Sequence, residues 1–379
     1  MIDAPVTLPT VPHYGEGSLA DLACSLLASL GIGGEPNPLA LPGTGRACLL
    51  IVDGLGWELL RAHPAAAPFL SELAVTGRPL TAGFPATTAT SLTSLATGKA
   101  PGSHGMLGYQ VAVPGAGRLL NELRWDSRVD PVAWQPSATI YERAAAAGVG
   151  AYRVAASGLQ KTGFSMAAMR GADYRAADSM GALVGQAGMA LAESDRALVT
   201  VYHADLDGTG HSFGCSSEAW LYHLAHVDKL AEHLAGALPA GATMHVTGDH
   251  GMVDVPLADK IDVDTVPGLR DGVALLGGEP RARHVYTEPG AADDVLAAWR
   301  EVLGGKAWVA SRAEAVADGW FGPTDPAFLE RIGNVVAAPA ESWALVATEA
   351  EPLESALIGM HGSLTPADQL VPLLSFRAG

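Results

Sequence analysis

The sequence predicts an α/β fold: a doubly wound, mostly parallel sheet flanked by helices, with a small α+β insertion. Three observations carry this expectation. The stretches "RACLLIVDGLGWELL", "ALVTVYHADLDGTGH" and "ATMHVTGDHGM" each run from a continuous apolar segment into a glycine-bearing cluster of acids or histidines. Apolar residues at successive positions are what a strand buried on both faces requires. Helical patterns such as "SATIYERAAAAG" and "SEAWLYHLAHVDKLAEHLAGAL" lie between them, and strands alternating with helices build parallel sheets through crossovers. From about Asp259 to Leu345 the pattern shifts to short strands and one amphipathic helix. We expect this part to form a small subdomain inserted within one catalytic domain spanning residues 1–379.

Taken in order, a Pro-rich lead precedes the helical "SLADLACSLLASLG", and Ala47–Val52 then reads as a buried strand ending at Asp53. A carboxylate there lies at the sheet edge where α/β proteins build their sites. "FPATTATSLTSLATG", Phe84 to Gly98, crowds hydroxyls into the start of a helix. "DLDGTGH" reads as a strand running out into a turn, in which Asp205 and Asp207 share a face only if extended geometry persists. In the insertion, "GVALLGG", "RARHVYT" and "RIGNVVAAP" suit strands and "AADDVLAAWREVLGG" a helix, while Asp259, Asp262 and Asp264 read as solvated loop acids. "IGMHGSLTPADQLVPLLS" rejoins the core.

Composition narrows the function classes. With 49% hydrophobic and 17% charged residues, the 379-residue chain is globular rather than disordered. A formal charge of -17 disfavours binding to nucleic-acid backbones or anionic membranes, which needs a basic footprint, but is compatible with a phosphorylated small-molecule substrate at a local metal-bearing pocket. Three scattered cysteines, Cys24, Cys48 and Cys215, do not make a disulfide framework or a thiolate cage. "MIDAPVTLPTVP" lacks the basic start and apolar core of a signal peptide, and no apolar run approaches a membrane span. The expectation is a soluble, cytoplasmic protein of open oligomeric state.

The polar residues at the strand ends form the candidate site: Asp53, Asp207, His211, Asp249, His250 and the late His361. Carboxylate and imidazole both bind zinc-like ions, and neighbouring glycines let backbone crowd around a metal, so the set suits two such ions. His223, His226 and His233 fall in one helical pattern and read as an ordinary helix face. A metal-bound hydroxyl from the Thr-rich stretch would supply a nucleophile, and a helix start would supply N–H groups to a phosphoryl group.

"LLIVDGLGW", "TATSLTSLATGKAPGSHGM", "DLDGTGH", "GDHGM" and the late "MHG", in this order, resemble the alkaline phosphatase superfamily, within it the nucleotide pyrophosphatase/phosphodiesterase branch. The resemblance implies two divalent ions, zinc foremost, with manganese or iron also compatible with these ligands. It assigns Asp207, His211 and His361 to one ion and Asp53, Asp249 and His250 to the other, with the nucleophile touching the latter. In the family the nucleophile lies nine residues before the Thr of the helix-ending Thr-Gly, here Thr97, which gives Thr88; aligning on Phe-Pro points instead to Thr81, and Thr87 and Thr90 are near competitors. Where relatives carry an Asn that holds a phosphate oxygen, this chain has Tyr109, whose phenol can donate; Asn121 is another candidate donor.

The resemblance implies a phosphodiesterase or nucleotide pyrophosphatase acting through a phosphothreonine. The alternatives are a phosphomonoesterase or phosphonate hydrolase on the same two metals, which would need a cation such as Lys99 or Arg124 in the pocket, and a metal-binding module without catalysis. No cysteine stands in a sulfatase-type signature, and the Thr stretch with its modest insertion speaks against phosphoglycerate mutases.

Overall fold

The computed structural model describes residues 8–379; the start of the Pro-rich lead lies outside them. Seven strands form the main sheet: β1 (Arg46–Val52), β2 (Arg78–Thr81), β3 (Gly150–Ala155), β4 (Asp173–Ala176), β5 (Ala197–His203), β6 (Thr243–Gly248) and β7 (Leu370–Arg377). Their order is β2-β7-β6-β1-β5-β3-β4. β7 alone runs against its neighbours, while β1 pairs in parallel with both β5 and β6. The mostly parallel sheet therefore stands as expected.

The central strand shows why the sequence folds this way. Alternate residues of β1 feed opposite faces: Leu49 and Ile51 join the cluster containing helices α1 (Leu19–Ser29) and α2 (Thr88–Thr97), and Cys48, Leu50 and Val52 join the opposite cluster. On that second face the chain leaves β5 through the short helix α3 (Asp205–Phe213) into the long α4 (Glu218–Ala237), whose Trp220, Leu224 and Val227 are fully buried. Each such side chain contributes roughly 1.5–3 kcal/mol through removal from water, so the continuous apolar run of β1 is stabilised from both sides.

Register then sets the site. Val52 pairs with His203 on one side and Gly248 on the other, so the carboxyl ends of the three central strands finish level. Asp53 and Asp249 each follow a strand by one residue, and the peptide of Asp53 still donates to His203 O at 2.9 Å.

The segment after β6 carries a separate antiparallel sheet in the order Val273–Glu279, Ala282–Thr287, Val335–Pro339, Ala307–Ser311. It packs its own apolar cluster with the helix α5 (Ala292–Leu303), around Val285, Trp299 and Val335. The strand Ala307–Ser311 was not among the expected elements; it is short and partly exposed, so its pairing with Val335–Pro339 defines it more than its own pattern does. The loop acids also differ from expectation. Asp264 pairs with Arg270 and accepts the Glu349 amide at 2.8 Å, and Asp259 accepts the Ser342 hydroxyl at 2.6 Å. These acids close turns that periodicity does not register.

Candidate active site

The carboxylates come to one place from three neighbouring strand ends. Asp249 Oδ1 accepts the amides of Gly54 at 3.1 Å and His250 at 3.0 Å, which ties the β1 and β6 exits together. Asp53 Oδ2 accepts the Tyr202 hydroxyl from β5. Gly54 has φ +74°, and a Cβ on it would lie 3.1 Å from the Cα and Cβ of Asp207, so glycine here lets the two segments meet. "DGTGH" does not run out as an extended turn: it lies in α3, which puts Asp207 and His211 four residues apart on one helix face and leaves Asp205 exposed. The two glycines of the motif disguised the helix. Extended geometry would have paired Asp205 with Asp207, whereas the helix pairs Asp207 with His211.

Each of the three histidines spends Nδ1 on a backbone carbonyl: His211 on Gly359 at 2.7 Å, His250 on Gly251 at 2.9 Å and His361 on Ala86 at 2.9 Å. A ring that donates through Nδ1 carries its lone pair on Nε2. The Nε2 atoms face the carboxylates. His250 Nε2 lies 3.3 Å from Asp53 Oδ1 and 3.8 Å from Asp249 Oδ2; Asp207 is 3.2 Å from His211 Nε2 and 3.8 Å from His361 Nε2. Ligand atoms of Asp207, His211 and His361 fall within 4.8 Å of one another, as do those of Asp53, Asp207 and His250. Asp207 thus borders both groups.

The donor set suits divalent cations on its own chemistry. Asp53 Oδ1, Asp207 Oδ1 and Asp249 Oδ2 are buried without a hydrogen-bond partner, an arrangement that costs several kcal/mol unless a cation completes it. The titration behaviour of the bare cluster shows the same conflict. Burial, with the Asp53 charge beside it, holds Asp249 well above the usual carboxylate range; burial, with His250 beside it, holds His361 well below the usual imidazole range. His203, His223, His226 and His233 belong to neither group among the described residues.

Thr88 is the first residue of α2, and its Oγ1 lies 3.3 Å from His250 Nε2. It faces a cavity of about 230 Å³ that also reaches Asp207, His211 and His361. The competing hydroxyls have other partners or positions, although Thr87 lines the same cavity. Thr81 sits in β2 and bonds His13 N and Gly17 O, Thr90 is buried and away from the cavity wall, and Thr87 turns its hydroxyl to Glu279 Oε2 at 3.2 Å.

The outer wall brings Tyr109, Leu123, Arg124 and Leu353 to the same cavity. The Tyr109 hydroxyl donates to Glu354 at 3.3 Å. Asn121 does not line the cavity: its Oδ1 accepts the amides of Leu123 at 3.0 Å and Arg124 at 2.9 Å, which shapes the turn presenting Arg124. Lys99 lies past the far end of α2, bonded to Ser137, so Arg124 is the cation among the described wall residues. Glu279 was missed by sequence reasoning. Burial pushes its carboxyl up to about 8 despite the neighbouring His250. The available signal was an acid closing a strand directly after Gly-Gly, in "LLGGE".

Acids and imidazoles gather at the level ends of a parallel sheet, opposite a hydroxyl that opens a helix, and the chain is a member of the alkaline phosphatase superfamily. The chain belongs to the type I phosphodiesterase / nucleotide pyrophosphatase family, whose profile matches residues 47–364. Its coarse chemistry is phosphoester hydrolysis. Among solved structures the fold resembles murine ectonucleotide pyrophosphatase/phosphodiesterase 5, in an inactive form with AMP, at 18% identity and TM-score 0.67, covering 86% of this chain and 87% of that one. The human protein of the same name is similar at 20% identity and TM-score 0.67, covering 88% of each. Phosphonoacetate hydrolase from Sinorhizobium meliloti, in complex with phosphonoformate, is similar at 20% identity and TM-score 0.67, covering 89% and 91%. No curated protein matches the chain. No helix among the described residues is long and apolar enough to cross a membrane.

Proposed function

We propose that the protein hydrolyses phosphate diesters or nucleotide-type pyrophosphates through a phosphothreonine at Thr88. The observation that carries this reading is the placement of Thr88 Oγ1 at a helix start, 3.3 Å from His250 Nε2 and on the wall shared with Asp207, His211 and His361. Asp53, Asp249 and His250 would hold one divalent ion, and Asp207, His211 and His361 a second, zinc being the ion this donor set suits best. Such a pair, when bound, neutralises phosphoryl charge and favours an ionised hydroxyl.

The chain's own groups supply the remainder. Thr88, at the start of α2 and on the cavity wall, would also offer its own N–H to a phosphoryl oxygen. Thr88 Oγ1 bonds to phosphorus as the bond to the leaving oxygen breaks; that oxygen departs with a proton as an alcohol or phosphate. Water then adds to phosphorus, and Thr88 recovers its hydroxyl. The phenol of Tyr109, which lines the same cavity, would donate to a nonbridging oxygen once it releases Glu354. Replacing Thr88 by Ala is expected to abolish turnover while bound metal stays near two ions per chain; sustained turnover by that variant refutes the reading.

Arg124 favours a second reading, in which the substrate is a monoester or a carboxylated phosphonate. It lines the cavity and forms no ion pair among the described residues. Side-by-side rates for bis-p-nitrophenyl phosphate, p-nitrophenyl phosphate and phosphonoacetate separate the two. A clear preference for the second or third substrate, lost in Arg124→Ala, would establish the second reading over the first.

A further inference from the structure

A row of side chains crosses three neighbouring strands of the main sheet on one face and ends at Asp53. β5 pairs with β3 so that Arg153 stands opposite Thr200, and with β1 so that Tyr202 stands opposite Ile51. Residues two apart on a strand share a face, which puts Tyr202 between Arg153 on one side and Asp53 on the other. Tyr202 is 7% exposed, and its ring packs in the core cluster that holds Ile51. Its hydroxyl reaches the end of the sheet and donates to Asp53 Oδ2.

The other end of the row steadies the ring. Arg153 is 2% exposed, with Nη1 3.2 Å from Met169 Sδ and Cζ 5.4 Å from the centroid of the Tyr202 ring. A guanidinium against an aromatic face is a favourable contact, and here it fixes the plane from which the hydroxyl projects.

The two oxygens of Asp53 therefore differ. Oδ2 is spent on Tyr202, whereas Oδ1 is buried without a hydrogen-bond partner, 3.3 Å from His250 Nε2. Asp249 is arranged in the same manner by backbone: its Oδ1 takes the amides of Gly54 and His250, and its Oδ2 is left bare. A carboxylate held through one oxygen offers the other in a fixed direction, which is how an outer group orients a metal ligand.

We propose that Tyr202 is a positioning residue: it occupies Oδ2 of Asp53 and so presents Oδ1 alone to the divalent ion held with Asp249 and His250. This rests on the two-ion site of the functional reading above, but not on the substrate or on Thr88.

The test uses the full-length protein and zinc alone, measured by competition with a chelator. Tyr202→Phe keeps the ring in the core and removes only the donor. One of the two ions should then bind about 10–100-fold more weakly, with the other unchanged. Asp53→Ala should weaken the same ion, and adding Tyr202→Phe to it should bring no further loss, because residues that act through one another are not additive. Cobalt in place of zinc gives a second readout. Once released, Asp53 is free to offer both oxygens, so the visible absorption of cobalt-loaded Tyr202→Phe should differ from that of the wild type at equal metal content. Wild-type affinity for both ions in Tyr202→Phe, equal weakening of both, or a loss of full size in the Asp53→Ala background would overturn the proposal. Rates with bis-p-nitrophenyl phosphate separate it from the functional reading: a wild type that holds two ions yet hydrolyses no phosphoester sinks that reading, while the zinc titrations still decide the role of Tyr202. A wild type that takes up no zinc overturns both.

Discussion

Thr88 differs from the other hydroxyls of its stretch in environment, not in chemistry. Thr93 and Thr97 donate back to the helix carbonyls of Ala89 and Thr93 at 2.7 and 2.8 Å, as buried helical threonines do. Thr87 is held by Glu279, and Thr88 alone pairs with a histidine of the cluster. Tyr109 makes a finer test at this scale. Its hydroxyl bonds Glu354 at 3.3 Å on the cavity wall. A hydrogen bond of this kind is worth about 1 kcal/mol, so Tyr109→Phe should lower kcat/KM for a diester roughly fivefold if the phenol turns to the substrate. Steady-state kinetics check this, and an unchanged constant would leave the phenol as a partner of Glu354 alone.

Among the elements, the decisive contacts are those between strand ends. Gly54 brings the exit of β1 onto α3, and its positive φ and the 3.1 Å approach to Asp207 both exclude a side chain. Gly54→Ala is expected to displace Asp207 and weaken zinc retention by about 10–100-fold, comparable to losing a partner that orients a ligand; competition with a chelator measures it. The Asn121 turn makes a companion case. Asn121→Ala strips the acceptor from the amides of Leu123 and Arg124 and should cost about 1–2 kcal/mol, visible as a lower urea midpoint. These elements also show which parts of the fold were legible in sequence. The buried strands announced themselves because two-sided burial demands unbroken apolar runs, and the acids and histidines after them stood out against those runs. α3 was hidden because Gly208 and Gly210 imitate a turn. Glu279 was hidden because its significance comes from a hairpin docking onto Thr87, a residue 192 positions away, and no local pattern encodes that contact.

Across the whole molecule, buried neutral histidines make one contribution to the response to acid. Burial lowers His104 to about 3, and His245 and His284 to about 4. Unfolded, each would titrate near 6.5. Between those values the unfolded chain binds more protons than the native one, so stability is complete above about pH 6.5 and falls as pH drops toward 4, by up to about 1.4 kcal/mol per pH unit for each histidine. Buried Glu122 and Glu279, pushed up to about 7 and about 8, act in the opposite direction over part of this range, so the histidine contribution is read as a difference: the urea midpoint of the wild type should fall relative to that of His245→Gln as pH drops from 7.5 to 5, and a difference indifferent to pH would contradict it. Under the proposed function the same body would hold two cations and the nucleophile Thr88 in one frame, and that is the central claim. Its most direct measurement is rapid acid quenching of zinc-loaded protein with bis-p-nitrophenyl phosphate, followed by mass mapping of the trapped adduct. We expect a phosphoryl adduct on Thr88 in the wild type and none in Thr88→Ala at equal metal content. An adduct on another residue, or turnover by Thr88→Ala, would contradict the account.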